Sequence, residues 1–113
     1  MIKRTLVKNA FKAEAPLDEV RIEGWIRTRR DAKAFSFVEI NDGTSLANIQ
    51  VIIDATLQGY EAKIADANTG AAIRVLGKLA PSQGKNQNWE VIANSFEVIG
   101  RADATYPLQK KGH

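Results

Sequence analysis

The segment Phe35-Ser36-Phe37-Val38-Glu39-Ile40 alternates with a period of two, and it follows the basic run Arg27-Thr28-Arg29-Arg30. In a β-strand, successive side chains leave the sheet on opposite faces. Val38 and Ile40 then share one face, while Phe35, Phe37 and Glu39 share the other. If the Val/Ile face is the core, two phenylalanine rings stand on the solvent side beside three arginines. Rings flanked by cations are the platforms on which proteins stack unpaired nucleic-acid bases.

The same period recurs along the chain. Val20, Ile22 and Ile26 alternate with Arg21, Glu23 and Trp25, and Gly24 falls on the apolar side, where a sheet can bend sharply. Phe35–Asn41 is the second strand, and Asn41-Asp42-Gly43 reads as a hairpin turn leading to a third strand at Ile49–Ile53. Leu57–Asn68 breaks the alternation and reads as a helix. Ala62, Ala65 and Ala67 favour that state, Tyr60 and Ile64 share a face, and Gly70 is placed to stop it. Ala72–Leu79 is the fourth strand, with Ile73, Val75 and Gly77 facing one way and Arg74, Leu76 and Lys78 the other. The polar segment Pro81–Asn88 turns it into a fifth, Trp89–Ile99.

Three strands, a helix and two more strands are the order of an OB-fold, the all-β, five-stranded Greek-key barrel, with its helix between strands three and four. The expected organisation is an N-terminal arm at residues 1–19, the barrel at 20–101 and a linker at 102–113. The arm carries a short helix over Thr5–Phe11 and is closed by Pro16, and the linker contains Pro107, Lys110 and Lys111. In an OB-fold the loops after strands one and four flank the binding face. Here those are the basic Arg27–Ala34 and the amide-rich Pro81–Asn88.

Composition narrows the chemistry. At 113 residues, 44% hydrophobic and 26% charged, the chain suits one domain that buries roughly two-thirds of its unfolded surface. It has no apolar run of about 18 residues to span a membrane, and Met1–Lys8 lacks the apolar core of a signal peptide. The absence of cysteine removes disulfides and thiolate sites and agrees with a cytoplasmic location. With His113 as the sole histidine, no metal centre of ordinary ligand type is expected. The serines at 36, 45, 82 and 95 have no histidine within the fold to activate them, the carboxylates are scattered, and no Gly-rich phosphate loop occurs. The domain is expected to bind rather than to catalyse. Residues 1–33 hold nine Lys/Arg against five acids, a balance of +4, and the rest of the chain is close to neutral, for a net +3 overall. That asymmetry favours an anionic partner, with a solvated charged face as the alternative.

Alternation picks out a candidate site. Phe37 projects from strand two, Gln50 from strand three between Ile49 and Val51, and Glu90 from strand five between Trp89 and Val91. The ring can stack, the amide can both donate and accept, and the carboxylate can accept from base N–H groups. Arg30 can bond a base edge or a phosphate, and Arg27, Arg29 and Lys85 supply further cations in the flanking loops. Each candidate also has a plainer explanation. The Phe37 ring could be covered by the N-terminal arm, Phe35 could lean on Trp25, and Gln50 and Glu90 could be ordinary surface residues. Arg29 and Arg30 could screen Asp31 and Glu23, and the two linker lysines could be simple solvated charge.

Several short segments in order carry a resemblance: Gly24–Asp31, Phe37–Gly43, Ile49–Ile52, Val75-Leu76-Gly77 and Trp89-Glu90-Val91. Through them the chain, from about Val20 to His113, resembles the N-terminal anticodon-binding domain of the aspartyl/asparaginyl/lysyl class II aminoacyl-tRNA synthetases. Its closing Thr105–His113 is similar to the hinge of the asparaginyl branch. The resemblance implies that Phe37 stacks on the central uridine of the anticodon, that Gln50 and Arg30 hydrogen-bond it, and that Glu90 contacts an anticodon base. It implies as partners an asparagine tRNA and a C-terminal catalytic domain beyond His113, in a homodimeric parent ligase. No cofactor is implied for this domain, ATP and magnesium being needed only in the catalytic one. A general single-strand-binding module, the aspartyl counterpart, and a structural domain whose aromatic face docks a protein are the other readings.

Overall fold

The computed structural model describes residues 3–82 and 89–100, so Lys85 and the linker at 102–113 lie outside the described residues. Two short helices and five strands follow in the order α1 (Val7–Phe11), β1 (Leu17–Asp31), β2 (Phe35–Asn41), β3 (Ile49–Asp54), α2 (Tyr60–Ile64), β4 (Ala72–Pro81) and β5 (Trp89–Gly100). The strands close into a barrel in the order β1-β2-β3-β5-β4. Neighbours are antiparallel except β3 and β5, which run parallel. This is the expected all-β OB-fold. None of the described helices is long and apolar enough to cross a membrane.

The inward half of the alternation makes the core. Val20, Ile22 and Ile26 on β1, Val38 and Ile40 on β2, and Ile49, Val51 and Ile53 on β3 are completely buried, and Ile73, Val75, Val91 and Phe96 meet them from β4 and β5. β-Branched residues suit this role because they pack densely on a pleated surface. β1 closes the barrel by serving two partners, β4 through Leu17–Trp25 and β2 through Trp25–Asp31. The handover needs a residue without a side chain. A Cβ on Gly24 would lie 2.6 Å from the Asn41 carbonyl oxygen and 2.9 Å from Ile40 Cγ2.

The structure differs from the expected elements at four places. The basic run is strand, not loop: β1 reaches Asp31, and only residues 32–34 connect it to β2. A register shift between Ile26 and Thr28 interrupts the alternation there, which hides the continuation. The β2–β3 connection is a loop at 42–48 rather than a tight hairpin. The Asn41 side chain organises it by accepting from the Gly43 N–H at 2.7 Å and donating to Ser45 O at 3.0 Å and Asn48 Oδ1 at 2.9 Å.

α2 is shorter than Leu57–Asn68. It opens at Gly59, whose φ is +76°, and ends at Ile64, because Arg29 takes the Ile64 and Ala67 carbonyls. Gly70 (φ +95°) ends the turns that follow, several residues beyond the helix.

The N-terminal arm, finally, packs into the core of the barrel. β1 begins at Leu17, and Val7 and Ala10 of α1 are fully buried in the core cluster. The Val7 N–H donates to Asp42 Oδ2 (2.9 Å), the Lys8 N–H to Thr44 Oγ1 (3.1 Å), and Trp89 Nε1 to Ala13 O (3.0 Å). The arm therefore seats at the Asn41 end of β2, away from Phe37.

Candidate nucleic-acid interface

The register shift in β1 decides which arginine faces the aromatic ring. Ile26 pairs with Ile40, but the next rung joins Thr28 to Glu39, leaving Arg27 as the extra residue of a bulge. Strict alternation from Ile26 would place Arg29 across from Phe37. With the bulge, Arg30 pairs with Phe37 and Arg29 pairs with core-facing Val38. Paired residues of an antiparallel ladder share a face. Arg30 and Phe37 thus stand together on the outer surface, the guanidinium carbon 4.8 Å from the ring centroid, a cation–π distance.

Phe35 lies on the same outer face, 39% exposed, its ring 6.4 Å from Phe37 and tilted by 34°. It leans on Phe37 and not on Trp25, which pairs with Asn41 and Ala72 at the far end of β2. Gln50 comes from β3, across from Glu39. Together Thr28, Arg29, Arg30, Phe37, Glu39 and Gln50 line an open groove of about 340 Å³.

Glu90 departs from expectation. It sits beside Gln50 in the parallel β3–β5 register, on the same side of the sheet, yet it is only 4% exposed. Its neighbours in the sheet are Gln50 on β3 and Ala80 on β4. Oε1 instead accepts from Gln50 Nε2 at 3.4 Å, a long bond. Because a carboxylate only accepts, this contact turns the Gln50 amide nitrogen toward Glu90. The amide oxygen and one N–H are left for a ligand.

The arginines divide by role. Arg29 clamps the fold: Nε donates to Asp31 Oδ1 at 3.0 Å, and one terminal nitrogen donates to Ile64 O at 2.7 Å and Asn68 Oδ1 at 3.2 Å. Arg29, followed by the Ser36 hydroxyl, holds the Asp31 carboxyl below its usual range. Glu23 is screened by Arg74 and Arg21, not by Arg29 or Arg30, and its carboxyl is likewise lowered, chiefly by Arg74. Arg27 is exposed on the bulge, and among the described residues no ion pair engages it. Thr28 and Glu39 complete the groove. The alternation pointed to Glu39, but Thr28 joins it only because of the bulge.

A flat ring with a planar cation above it, an oriented amide and a carboxylate along one groove can stack a heterocycle and bond its edge. On a closed OB barrel, this defines a nucleic-acid-binding module. A family model described as an OB-fold nucleic acid binding domain matches residues 20–99, and the chain belongs to that family. It is 51% identical over 113 residues to an asparagine–tRNA ligase of Oleidesulfovibrio alaskensis, across 99% of this chain and 24% of that protein. It is 49% identical over 114 residues to one of Synechocystis sp., across 100% of this chain and 24% of that protein. The chain thus spans about a quarter of the length of the curated relatives it matches.

Among solved structures, asparaginyl-tRNA synthetase from Pyrococcus horikoshii complexed with asparaginyl-adenylate superposes with a TM-score of 0.77 at 20% identity, over 100% of this chain and 26% of that one. The OBody AM1L10, bound to hen egg-white lysozyme, gives 0.70 at 16% identity over 89% of this chain and 98% of that one. At these identities the likeness concerns the fold.

Proposed function

We propose that this chain is the anticodon-recognition domain of an asparagine–tRNA ligase. The observation that carries the proposal is the outer-face groove in which Arg30, Phe37 and Gln50 meet, on a barrel about half identical to asparagine–tRNA ligases over nearly all of its length. Phe37 stacks on the central uridine. The Gln50 amide oxygen accepts the uridine N3–H, and its free N–H donates to a neighbouring carbonyl oxygen. Arg30 supports the stack and bonds the base or its phosphate, Arg27 and Lys85 adding cationic attraction. Glu90 serves the base through Gln50, by holding the amide in one orientation.

The domain's task is to raise affinity for the asparagine tRNA and to orient its acceptor end toward a catalytic domain in a homodimeric, cytoplasmic parent. ATP and magnesium belong to that catalytic domain, and this one needs no cofactor. Stacking on an aromatic contributes about 1–3 kcal/mol per base. Phe37→Ala should therefore weaken binding of the asparagine anticodon stem-loop by about tenfold, and wild type should prefer that loop over one with its central uridine changed. An unchanged dissociation constant for the variant removes the stacking role. Equal wild-type affinity for the two loops makes the domain a general single-strand binder.

A further inference from the structure

Beneath the Arg30–Phe37 pair, on the inner side of the same two strands, lies a chain of polar groups that base recognition does not touch. Ser36 is completely buried. Its Oγ is 2.9 Å from Asp31 Oδ1 and 2.6 Å from the Tyr60 hydroxyl oxygen. An ionised carboxylate can only accept, so the one Ser36 proton goes to Asp31, and Tyr60 must be the donor to Ser36 Oγ. Asp31 is in turn gripped through both oxygens by Arg29, whose other terminal nitrogen holds the carbonyls at the end of α2. The relay therefore runs from Tyr60 on α2, through Ser36 on β2 and Asp31 and Arg29 on β1, back to α2.

Its place in the ladder matters. Asp31 pairs with Ser36 on the rung directly beside Arg30 and Phe37. β1 leaves β4 after Trp25; the Ile26 backbone still bonds Gly70 and Ala71, and among the described residues Arg27–Asp31 pairs along its length only with β2. β3 backs β2 on its other side, so this end of β1 is a sheet edge with one open side. On that open side the relay ties β1 to α2. We infer that Ser36, Asp31 and Tyr60 are positioning residues for base binding, locking the last rung of the β1–β2 ladder so that the Arg30 guanidinium stays registered over the Phe37 ring. This rests on the groove being the anticodon site.

The test measures dissociation constants of the 113-residue chain for the asparagine anticodon stem-loop and for the same loop with cytidine at its centre. Wild type, Tyr60→Phe, Ser36→Ala, Phe37→Ala and the Ser36→Ala/Phe37→Ala pair are compared. Tyr60→Phe should weaken binding of the uridine loop about threefold and Ser36→Ala up to about tenfold. Ser36→Ala should add almost nothing in the Phe37→Ala background, since it acts through that ring. In NMR spectra of both relay variants, the Arg30 Nε–H resonance should lose the ring-current shift imposed by Phe37.

Folded variants that bind like wild type and keep that shift overturn the inference. So does an equal loss against both loops that persists in the Phe37→Ala background, which would make the relay a seal on the barrel and nothing more. Should Ser36→Ala not fold, Tyr60→Phe decides, because it deletes one oxygen and keeps the ring. If wild type binds both loops alike, the anticodon assignment fails instead, and the Arg30 resonance still judges the relay.

Discussion

Arg30 stands over the face of Phe37, its guanidinium carbon 4.8 Å from the ring centroid, because a bulge at Arg27 shifts β1 by one residue against β2. The planar cation is thus arranged on the aromatic platform before any ligand arrives. A guanidinium stacks on flat groups and an ammonium does not. Arg30→Lys should therefore weaken stem-loop binding about threefold or more while leaving the unfolding free energy within about 0.5 kcal/mol of wild type. Equal affinity for the lysine variant would show that charge alone matters there.

Arg27 and Arg29, close in sequence, should behave oppositely. Arg29→Gln removes the clamp on Asp31 and on the α2 carbonyls, so it should lower the midpoint of thermal unfolding. Arg27 is exposed on the bulge, and Arg27→Gln should leave that midpoint alone. If Arg27 meets a phosphate, its loss reduces the slope of log affinity against log salt by about one, and uniformly across loop sequences. A slope unchanged by Arg27→Gln excludes a phosphate contact.

Glu90 tests whether the Gln50 amide is held in one orientation. Glu90→Leu removes the acceptor 3.4 Å from Gln50 Nε2 and frees the amide to turn over. The preference for a central uridine over a central cytidine should fall about threefold, with overall RNA affinity changed less. Discrimination that survives the substitution would mean that Gln50 needs no support from Glu90.

The latch on the N-terminal arm should be acid-sensitive. Asp42 has a fully covered carboxylate. Burial opposes its charge, but hydrogen bonds from the Thr44 hydroxyl and from the Val7 and Thr44 N–H groups outweigh that, and its pKa falls below the ordinary 3.8. A group with a lowered folded pKa contributes its full stability above the unfolded value and loses it as pH falls through the folded one. Asp31 is lowered in the same way from 3.8 by Arg29 and Ser36, and Glu23 from 4.5 by Arg74. Stability should be flat with respect to these three groups near neutrality and decline below about pH 4. Asp42→Ala should cost about 1–3 kcal/mol in denaturant titrations and flatten part of the acid limb. An acid limb that stays unchanged in the variant would locate the sensitivity elsewhere.

Gly24→Ala should be strongly destabilising for so small a change. The added methyl would press on the Asn41 carbonyl where β1 passes from β4 to β2. A cost of about 1–3 kcal/mol is expected from such crowding, seen as a lower denaturant midpoint. An unaffected midpoint would show that β2 can yield at Asn41.

Much of the barrel could be read from one local rule. Val38 and Ile40 inward with Phe37 outward, and Ile49 and Val51 inward with Gln50 outward, need nothing beyond the two-residue period of a strand, and the structure agrees at each position. Gln50 and Phe37 were visible as partners for the same reason. The four consecutive polar residues Arg27–Arg30 carry no apolar phase, so a one-residue slip among them leaves no trace in the pattern. Alternation alone therefore does not choose between Arg29 and Arg30 as the cation on the ring. Glu90 alternated correctly, but its contact with Gln50 joins segments that lie far apart in sequence.

What the chain determined by itself, then, is the order of strands, the inward residues of β1 to β3 and the face on which Phe37 and Gln50 stand, because period and turn chemistry act between near neighbours. Folding decided which arginine lies on the ring, what Glu90 touches, where the arm seats and how Tyr60 reaches Ser36. Each of those depends on register and on contacts between distant segments, which exist only once the barrel has closed.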